Sequence, residues 1–339
     1  MLIRFILLFF VFAAVLLLNL CSGEVQLSVQ EVLLALSQWW QSSIQHIVVP
    51  ETSASYQILV DIRLPRALSA ALVGAALGTS GYLLQSLSGN GLADPYLTGV
   101  SSGAGLAVAF SVMAGVDFGL IPLISLGGGI AASVVVMLLA KSSEGISVSR
   151  LLLAGVAISA FCSAVITLII CSGNGNIKAQ GIYYWLAGTV SGRTWSELGA
   201  CAAYVAVGGI VALLMSKPLR VLSLGESTAA SLGLSVGKAQ GGILMAAILL
   251  CSAAVSLSGI VGFAGLVAPY FARKFFQRDE RELIVASALF GSLLVMLSDL
   301  AARTIAPGQE PPLGTLLCLV GGPFFLYLLL KREDGVYKL

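Results

Sequence analysis

The chain has 339 residues, 58% hydrophobic and 10% charged, with a net charge of +2 and a mean hydropathy of +0.99. Soluble domains carry about 25% charged residues, so an aqueous globular fold is excluded, and so small a net charge gives no basis for a nucleic-acid partner. The apolar runs last roughly 17 to 25 residues, as helical spans do, and lack the ten-residue alternation of a membrane barrel. They predict an all-α polytopic protein of about ten transmembrane helices in a lipid bilayer, a single membrane domain over residues 1–339.

The first predicted span runs from Ile3 to Leu20. Arg4 ahead of an apolar run resembles a secretory signal, but no A-x-A-like site follows in residues 19–23 and Leu18-Asn19-Leu20-Cys21 is a poor lipoprotein site, so it reads as an uncleaved span. Residues 24–62 form an external segment. Its start matches a capping box, Ser28 with Glu31, and a hydrophobic staple, Leu27 with Val32. Val29, Val32, Leu33, Leu36 and Trp40 recur at helical spacing, and Trp39 and Trp40 suit the headgroup level. Two readings stand, a helix lying on the membrane surface and a connector with no functional contact.

Leu64–Leu87 and Tyr96–Ala114 follow. Gly74, Gly78 and Gly81 on one, and Gly99, Gly103 and Gly105 on the other, let helices approach closely, a device that channels and scaffolds share with transporters. Next come Leu120–Ala140 and Leu151–Cys171. The outer loop Ser172–Thr194, with Asn174, Asn176, Tyr183, Tyr184 and Trp185, reads either as the rim of an entrance or as an interfacial aromatic belt.

After Leu198–Met215 comes a cytoplasmic segment, residues 217–240. Pro218 blocks continuation of the preceding helix, Glu226 favours the first turn of a new one, and Gly233 is placed to end it in a left-handed cap. The short helix so predicted offers Leu224, Ala229, Leu232 and Leu234 for burial, so it either meets a partner or folds back on the bundle. The last predicted spans are Gly241–Leu257, Gly259–Phe275, Leu283–Arg303 and Leu313–Leu330.

With the N-terminus inside, 13 of the 18 Lys and Arg residues fall on the cytoplasmic side. The positive-inside rule favours this orientation, which leaves both termini cytoplasmic. There is no P-loop: Gly233–Gly237 encloses three residues where four are needed, and Lys238 is followed by Ala239. Cysteines 21, 162, 171, 201, 251 and 318 are scattered and read as packing residues. His46 is the single histidine, so a metal site built from several histidines within one chain is excluded. Asp299 is the acid set furthest into a span, with Arg303 four residues on. It is open to two readings, an ion pair fixing a helix end or part of an ion relay, which would need more such groups.

Four stretches together resemble one known family: RLPRALSAALVGAALGTSGYLLQSLSGNGLADPYLTGVSSGAG (Arg63 to Gly105), LSLGESTAASLGL (Leu222 to Leu234), SGIVGFAGLVAPYFAR (Ser258 to Arg273) and SDLAARTIAPGQEPPLGTLLCLVGGPFFLYLL (Ser298 to Leu329). They look like the membrane permease of binding-protein-dependent ABC importers of the iron-siderophore, haem and vitamin B12 class. The resemblance implies the type II importer permease fold in the bacterial inner membrane. It also implies a second permease copy, two cytoplasmic ATPase subunits that hold ATP and Mg, and a substrate-binding protein outside.

Carried over at matching positions, Leu224, Gly225, Glu226, Ser227, Ala230, Leu232 and Gly233 resemble the element that couples to the ATPase. Arg63, Arg66 and Arg303 resemble cationic sockets for carboxylates of the binding protein, with anchoring of helix ends as the competing reading. Asn90, Leu92, Ser147 and Ser149 match the regions that narrow the inner end of the path. Three departures stand out: Gly91 where the family usually has proline, Tyr270 where it has histidine, and the proline-rich run Gln309 to Gly314. By the resemblance the cargo is an iron chelate, a ferric siderophore first, then haem or cobalamin, with an oxyanion also open. The competing functions are an ion-coupled secondary transporter working without an ATPase and a membrane scaffold.

Overall fold

The computed structural model describes residues 2–45, 53–142, 145–172, 177–276, 279–305 and 310–332. His46, Asn174, Asn176 and Gln309 lie outside the described residues. The helices are α1 (Leu2–Cys21), α2 (Val29–Gln45), α3 (Ala54–Gln57), α4 (Leu64–Ser88), α5 (Val100–Ala114), α6 (Ile121–Ala140), α7 (Val148–Ser172), α8 (Ile177–Ala187), α9 (Trp195–Leu214), α10 (Ser216–Leu222), α11 (Glu226–Ser231), α12 (Val236–Ser258), α13 (Ala264–Phe275), α14 (Glu280–Ile305) and α15 (Leu313–Arg332). A two-residue ladder, β1 (Lys141–Ser142) with β2 (Gly145–Ile146), precedes α7.

All ten predicted segments fall on helices, so the bundle is all-α as the apolar runs predict. Seven helical stretches among the described residues are long and apolar enough to cross a membrane, while α5 and α15 are apolar but shorter. The count of ten is therefore approximate. Two predicted boundaries move for a physical reason. The third segment begins with a 3-10 turn, Pro95–Thr98, and α5 starts only after Gly99 at φ +80°. The eighth starts late because Gly259 at φ +69° and Phe263 at φ +64° interrupt the chain, leaving α13 only 12 residues.

The centre of the bundle is α4 and α12, with 83% and 78% of their apolar windows buried, whereas α1, α7 and α9 bury 17–22% and present apolar side chains outward, as lipid-facing helices do. Glycine makes the centre dense. A Cβ on Gly74 would lie 2.2 Å from the Gly291 carbonyl oxygen, one on Gly78 would lie 2.2 Å from that of Ser287, and one on Gly81 would lie 1.8 Å from that of Gly265. So α4 meets α14 and α13 backbone to backbone, which is what the Gly74/Gly78 spacing predicts. Serine hydroxyls also tie α4 to its neighbours, Ser80 donating to the Ala247 carbonyl of α12 and Ser292 of α14 to the Ala71 carbonyl, both at 2.7 Å.

Pro269 inside α13 has no N–H to give the Gly265 carbonyl four residues earlier. Gln85 Nε2 lies 3.3 Å from that oxygen, and Gln85 Oε1 accepts from Arg273. Tyr82 donates to Glu280 beside it. The same end of the bundle holds Arg4 on the Phe275 carbonyl, Arg281 on Ser216 and Arg220 near Asp279. These are residues that the charge rule puts inside, whereas Arg63, Arg66 and Arg303 gather at the other end.

Gly74→Val is expected to force α4 off α14 and cost about 2–3 kcal/mol, as overpacking does. The thermal midpoint of the purified protein in detergent checks this; an unchanged midpoint would mean that the two backbones do not touch.

Candidate transport path and its two ends

The end that the charge rule puts outside is organised by one carboxylate. Asp299, on α14 and 1% exposed, accepts from Arg66 Nη2 at 2.8 Å and Nε at 3.0 Å, and pairs with Arg303 Nη2 at 3.2 Å. Arg303 also donates to Asn19 Oδ1 at 2.6 Å and to the Ser22 carbonyl at 2.9 Å, binding the end of α1. Arg63 closes a π-helical turn, Ile58–Arg63, and spends its guanidinium on the carbonyls of Leu20, Cys21 and Val25. A second carboxylate, Glu310 before α15, takes Arg66 at 2.9 Å. Burial works to raise the Glu310 carboxyl, but the hydrogen bond and charge of Arg66, with Arg303 behind, hold it below the ordinary range. A depressed acid contributes its stabilisation at neutral pH and loses it as the pH falls through its lowered value.

All three predicted arginines thus lie together, each only 6–8% exposed and paired within the chain. A docking role would require them to exchange partners. For Asp299 and Arg303, the ion pair fixing a helix end is the reading the geometry matches. The external segment packs against the same end. Ser28 and Glu31 make the reciprocal capping box, Leu27 and Val32 are buried together, and Trp39 stacks on Trp195 at 5.7 Å.

At mid-bundle the two interrupted segments meet. The Tyr96 hydroxyl accepts from the Val261 N–H and donates to the Val261 carbonyl, both at 3.0 Å. Asp94 caps the 3-10 turn by accepting from the Tyr96 N–H at 2.8 Å. Beside this junction a half-open cavity of about 360 Å³ is lined by the hydroxyls of Ser101 and Ser102 of α5, Ser159, Ser163 and Thr167 of α7 and Tyr183 of α8, and by the apolar side chains of Ile166, Ile170, Leu186 and Ile260. Among the described residues no charged side chain lines it. Broken helices beside a cavity that carries hydroxyl groups are how transporters place binding surface at membrane depth.

At the inner end Asn90 builds an Asx turn, its side chain accepting from the Leu92 N–H at 3.0 Å, so the turn is held although Gly91 does not stiffen it. Ser147 stands just before α7, its carbonyl accepting from Leu151, while Ser149 is exposed. Ala93 and Leu151 share one apolar cluster with Leu84, Val136 and Leu244, which brings the two predicted gate regions side by side.

The segment after α9 forms a knob. Pro218 cannot donate to the Leu214 carbonyl, and α9 ends at Leu214, but the break is a single residue, Met215, and helix resumes as α10 with Pro218 inside its first turn, so the block is only local. Gly225 at φ +103° starts α11 and Gly233 at φ +84° ends it, with Leu234 N–H on Ala229 O and Gly233 N–H on Ala230 O, the Schellman pattern. Ala229 is buried, whereas Glu226, Ser227 and Ala230 are exposed and Leu224 and Leu232 are 62% and 65% exposed. The knob presents leucines outward instead of folding them back.

Sequence reasoning passed over Asp94, Asn19, Glu310 and Gln240. Asp94 had a signal, being the one charged residue between Arg66 and Asp117. The others had none, because their partners are remote in sequence.

An apolar bundle with two interrupted helices at a mid-depth cavity and an outward-facing leucine knob at one end is a polytopic transport permease. The chain belongs to the FecCD transport family, whose profile matches residues 9–331. It is 37% identical over 290 residues to the hemin transport system permease protein of Yersinia pestis, covering 83% of this chain and 85% of that one. It is 36% identical over 283 residues to the Fe(3+) dicitrate transport system permease protein of Escherichia coli, covering 81% and 83%. A solved structure described as an inward-facing conformation of a metal-chelate type ABC transporter superposes with a TM-score of 0.83 at 25% identity over 96% of this chain and 97% of that one. The fold is that of a type II ABC importer permease.

Asp299→Ala leaves two buried guanidinium groups without their shared anion and is expected to cost about 3–5 kcal/mol. Glu310→Gln, at the exposed edge of the network, is expected to cost about 1 kcal/mol or less. Thermal midpoints of the two variants in detergent check the contrast; equal effects would mean that Asp299 is not the centre of the network.

Proposed function

We propose that this chain is the membrane-spanning subunit of an ATP-driven importer in a bacterial inner membrane, working as two copies with both termini in the cytoplasm. Hydrolysis of ATP, with Mg, belongs to two separate ATPase subunits that dock on residues 224–233. The observation that carries this reading is the knob, since an exposed apolar element at the end of a bundle calls for a protein partner. Family membership and the absence of a P-loop point the same way. An ion-coupled secondary transporter is disfavoured because Asp299 is already held by two arginines.

At the outer end a binding protein delivers the cargo. Since Arg63, Arg66 and Arg303 are paired within the chain, a carboxylate of that protein reaches Arg66 by replacing Glu310, the exposed member of the network. Asn90, Leu92, Ser147 and Ser149 narrow the inner end. The cargo is an iron chelate, and a ferric siderophore suits the cavity best. A lining of hydroxyl and apolar side chains without charge fits an uncharged hydroxamate complex better than a carboxylate-bearing haem or citrate complex, whose charges would enter without counter-ions.

The test is uptake by vesicles containing the chain, its ATPase and its binding protein, offered a 55Fe-labelled ferric hydroxamate, ferric dicitrate, hemin and cobalamin in turn. ATP-dependent accumulation of the hydroxamate is expected. Leu224→Asp and Leu232→Asp are each expected to weaken ATPase assembly by about tenfold or more, as loss of an apolar anchor does. Uptake by the chain alone, driven by a proton or sodium gradient, would contradict the proposal.

A further inference from the structure

We infer that Gln240 is the joint through which movement of the knob reaches the cavity-lining helix α7. The inference rests on the reading of residues 224–233 as the ATPase-docking segment and names a positioning residue within it. Gln240 lies on the first turns of α12 and is 3% exposed. Its Oε1 accepts from the Ile146 N–H at 2.9 Å and its Nε2 donates to Glu226 Oε1 at 2.8 Å. One buried amide therefore joins three elements: the start of α11, the base of α12 and the short ladder before α7.

Each side of the joint is stiff. On one side, α11 is closed by its Schellman cap and anchored by buried Ala229. On the other, Ile146 is paired with Lys141 across the ladder, and the next residue, Ser147, accepts from the first turn of α7. Behind the amide, Leu244, one turn along α12, packs with Leu151, Ala140 and Ile146 in an apolar cluster that resists shear between α12 and α7. From there α7 runs to Ser159, Ser163 and Thr167 at the cavity. A push on α11 thus has a hydrogen-bonded route to α7 that does not pass through a solvent-exposed loop.

The amide has a direction. Turning it over would set its NH₂ against the Ile146 N–H and its oxygen against the Glu226 carboxylate, so both bonds hold only one way round. A role confined to satisfying the Ile146 N–H needs an acceptor alone, whereas a joint needs the donor as well. Q240E separates the two, because a carboxylate still accepts from Ile146 but no longer donates to Glu226. Pairing it with E226Q reverses the donor: the amide introduced at position 226 donates to the carboxylate introduced at position 240, and the number of carboxylates is unchanged.

The experiment is hydrogen–deuterium exchange on the permease in lipid nanodiscs with its ATPase subunits bound, nucleotide-free and after trapping with ATP and vanadate. In the wild-type complex trapping is expected to change exchange at residues 224–233 and at 145–150. In Q240E the change at 224–233 persists while that at 145–150 shrinks by about five- to tenfold, the span of an ordinary coupling free energy. The E226Q/Q240E pair is expected to restore it. A wild-type response at 145–150 in Q240E would overturn the joint, as would an assembled double variant that stays uncoupled. An ATPase that leaves 224–233 unaffected would instead refute the docking reading, and the joint with it.

Discussion

Inside a bilayer each backbone N–H and C=O has to find a partner within the protein. The structure depends on how that demand is met where two helices stop short. At Pro95–Gly99 and Gly259–Phe263 the chain leaves the helical path at membrane depth, and the Tyr96 hydroxyl answers for Val261 on both its donor and its acceptor side. Those interruptions make room for a cavity lined by hydroxyl and apolar side chains. Without cross-satisfaction they would be unsatisfied polar groups in hydrocarbon, each costing several kcal/mol.

Around that junction the rest of the bundle acts as a frame. Gly74, Gly78 and Gly81 let α4 touch α14 and α13, so the centre is rigid. The outer end is tied by Asp299 between two arginines, and the inner end by Gln85, Arg273, Tyr82 and Glu280. A frame stiff at both ends with an uncharged gap between its helices suits a conduit that is opened from outside itself. The knob at residues 224–233, with its outward leucines, is where an external push can be applied.

Much of this was legible in the sequence, and the boundary of legibility is physical. The spans follow from run length and hydropathy, and the close approach of α4 from glycine spacing. The capped knob is also local, since Pro218, Glu226 and Gly233 each act within a turn of themselves. The helix interruptions were not legible, because Tyr96 and Gly259–Phe263 sit in apolar runs whose hydropathy says nothing of backbone angles. Phe263 in particular adopts a left-handed conformation that its residue type disfavours. The pairing of Arg303 with Asp299 four residues before it was readable, whereas the bonds of Arg66 to Asp299, of Arg63 to the Leu20 carbonyl and of Arg303 to Asn19 join residues more than 40 positions apart along the chain.

The central claim is that this chain is a conduit worked by a separate motor. Cryo-electron microscopy of the permease with its ATPase subunits in lipid tests it most directly. The account predicts Leu224 and Leu232 buried in a cleft of the ATPase, and the cavity of Ser102, Ser163 and Tyr183 open to an axial space between two permease copies. A map in which the knob faces solvent, or the cavity faces lipid, would contradict it.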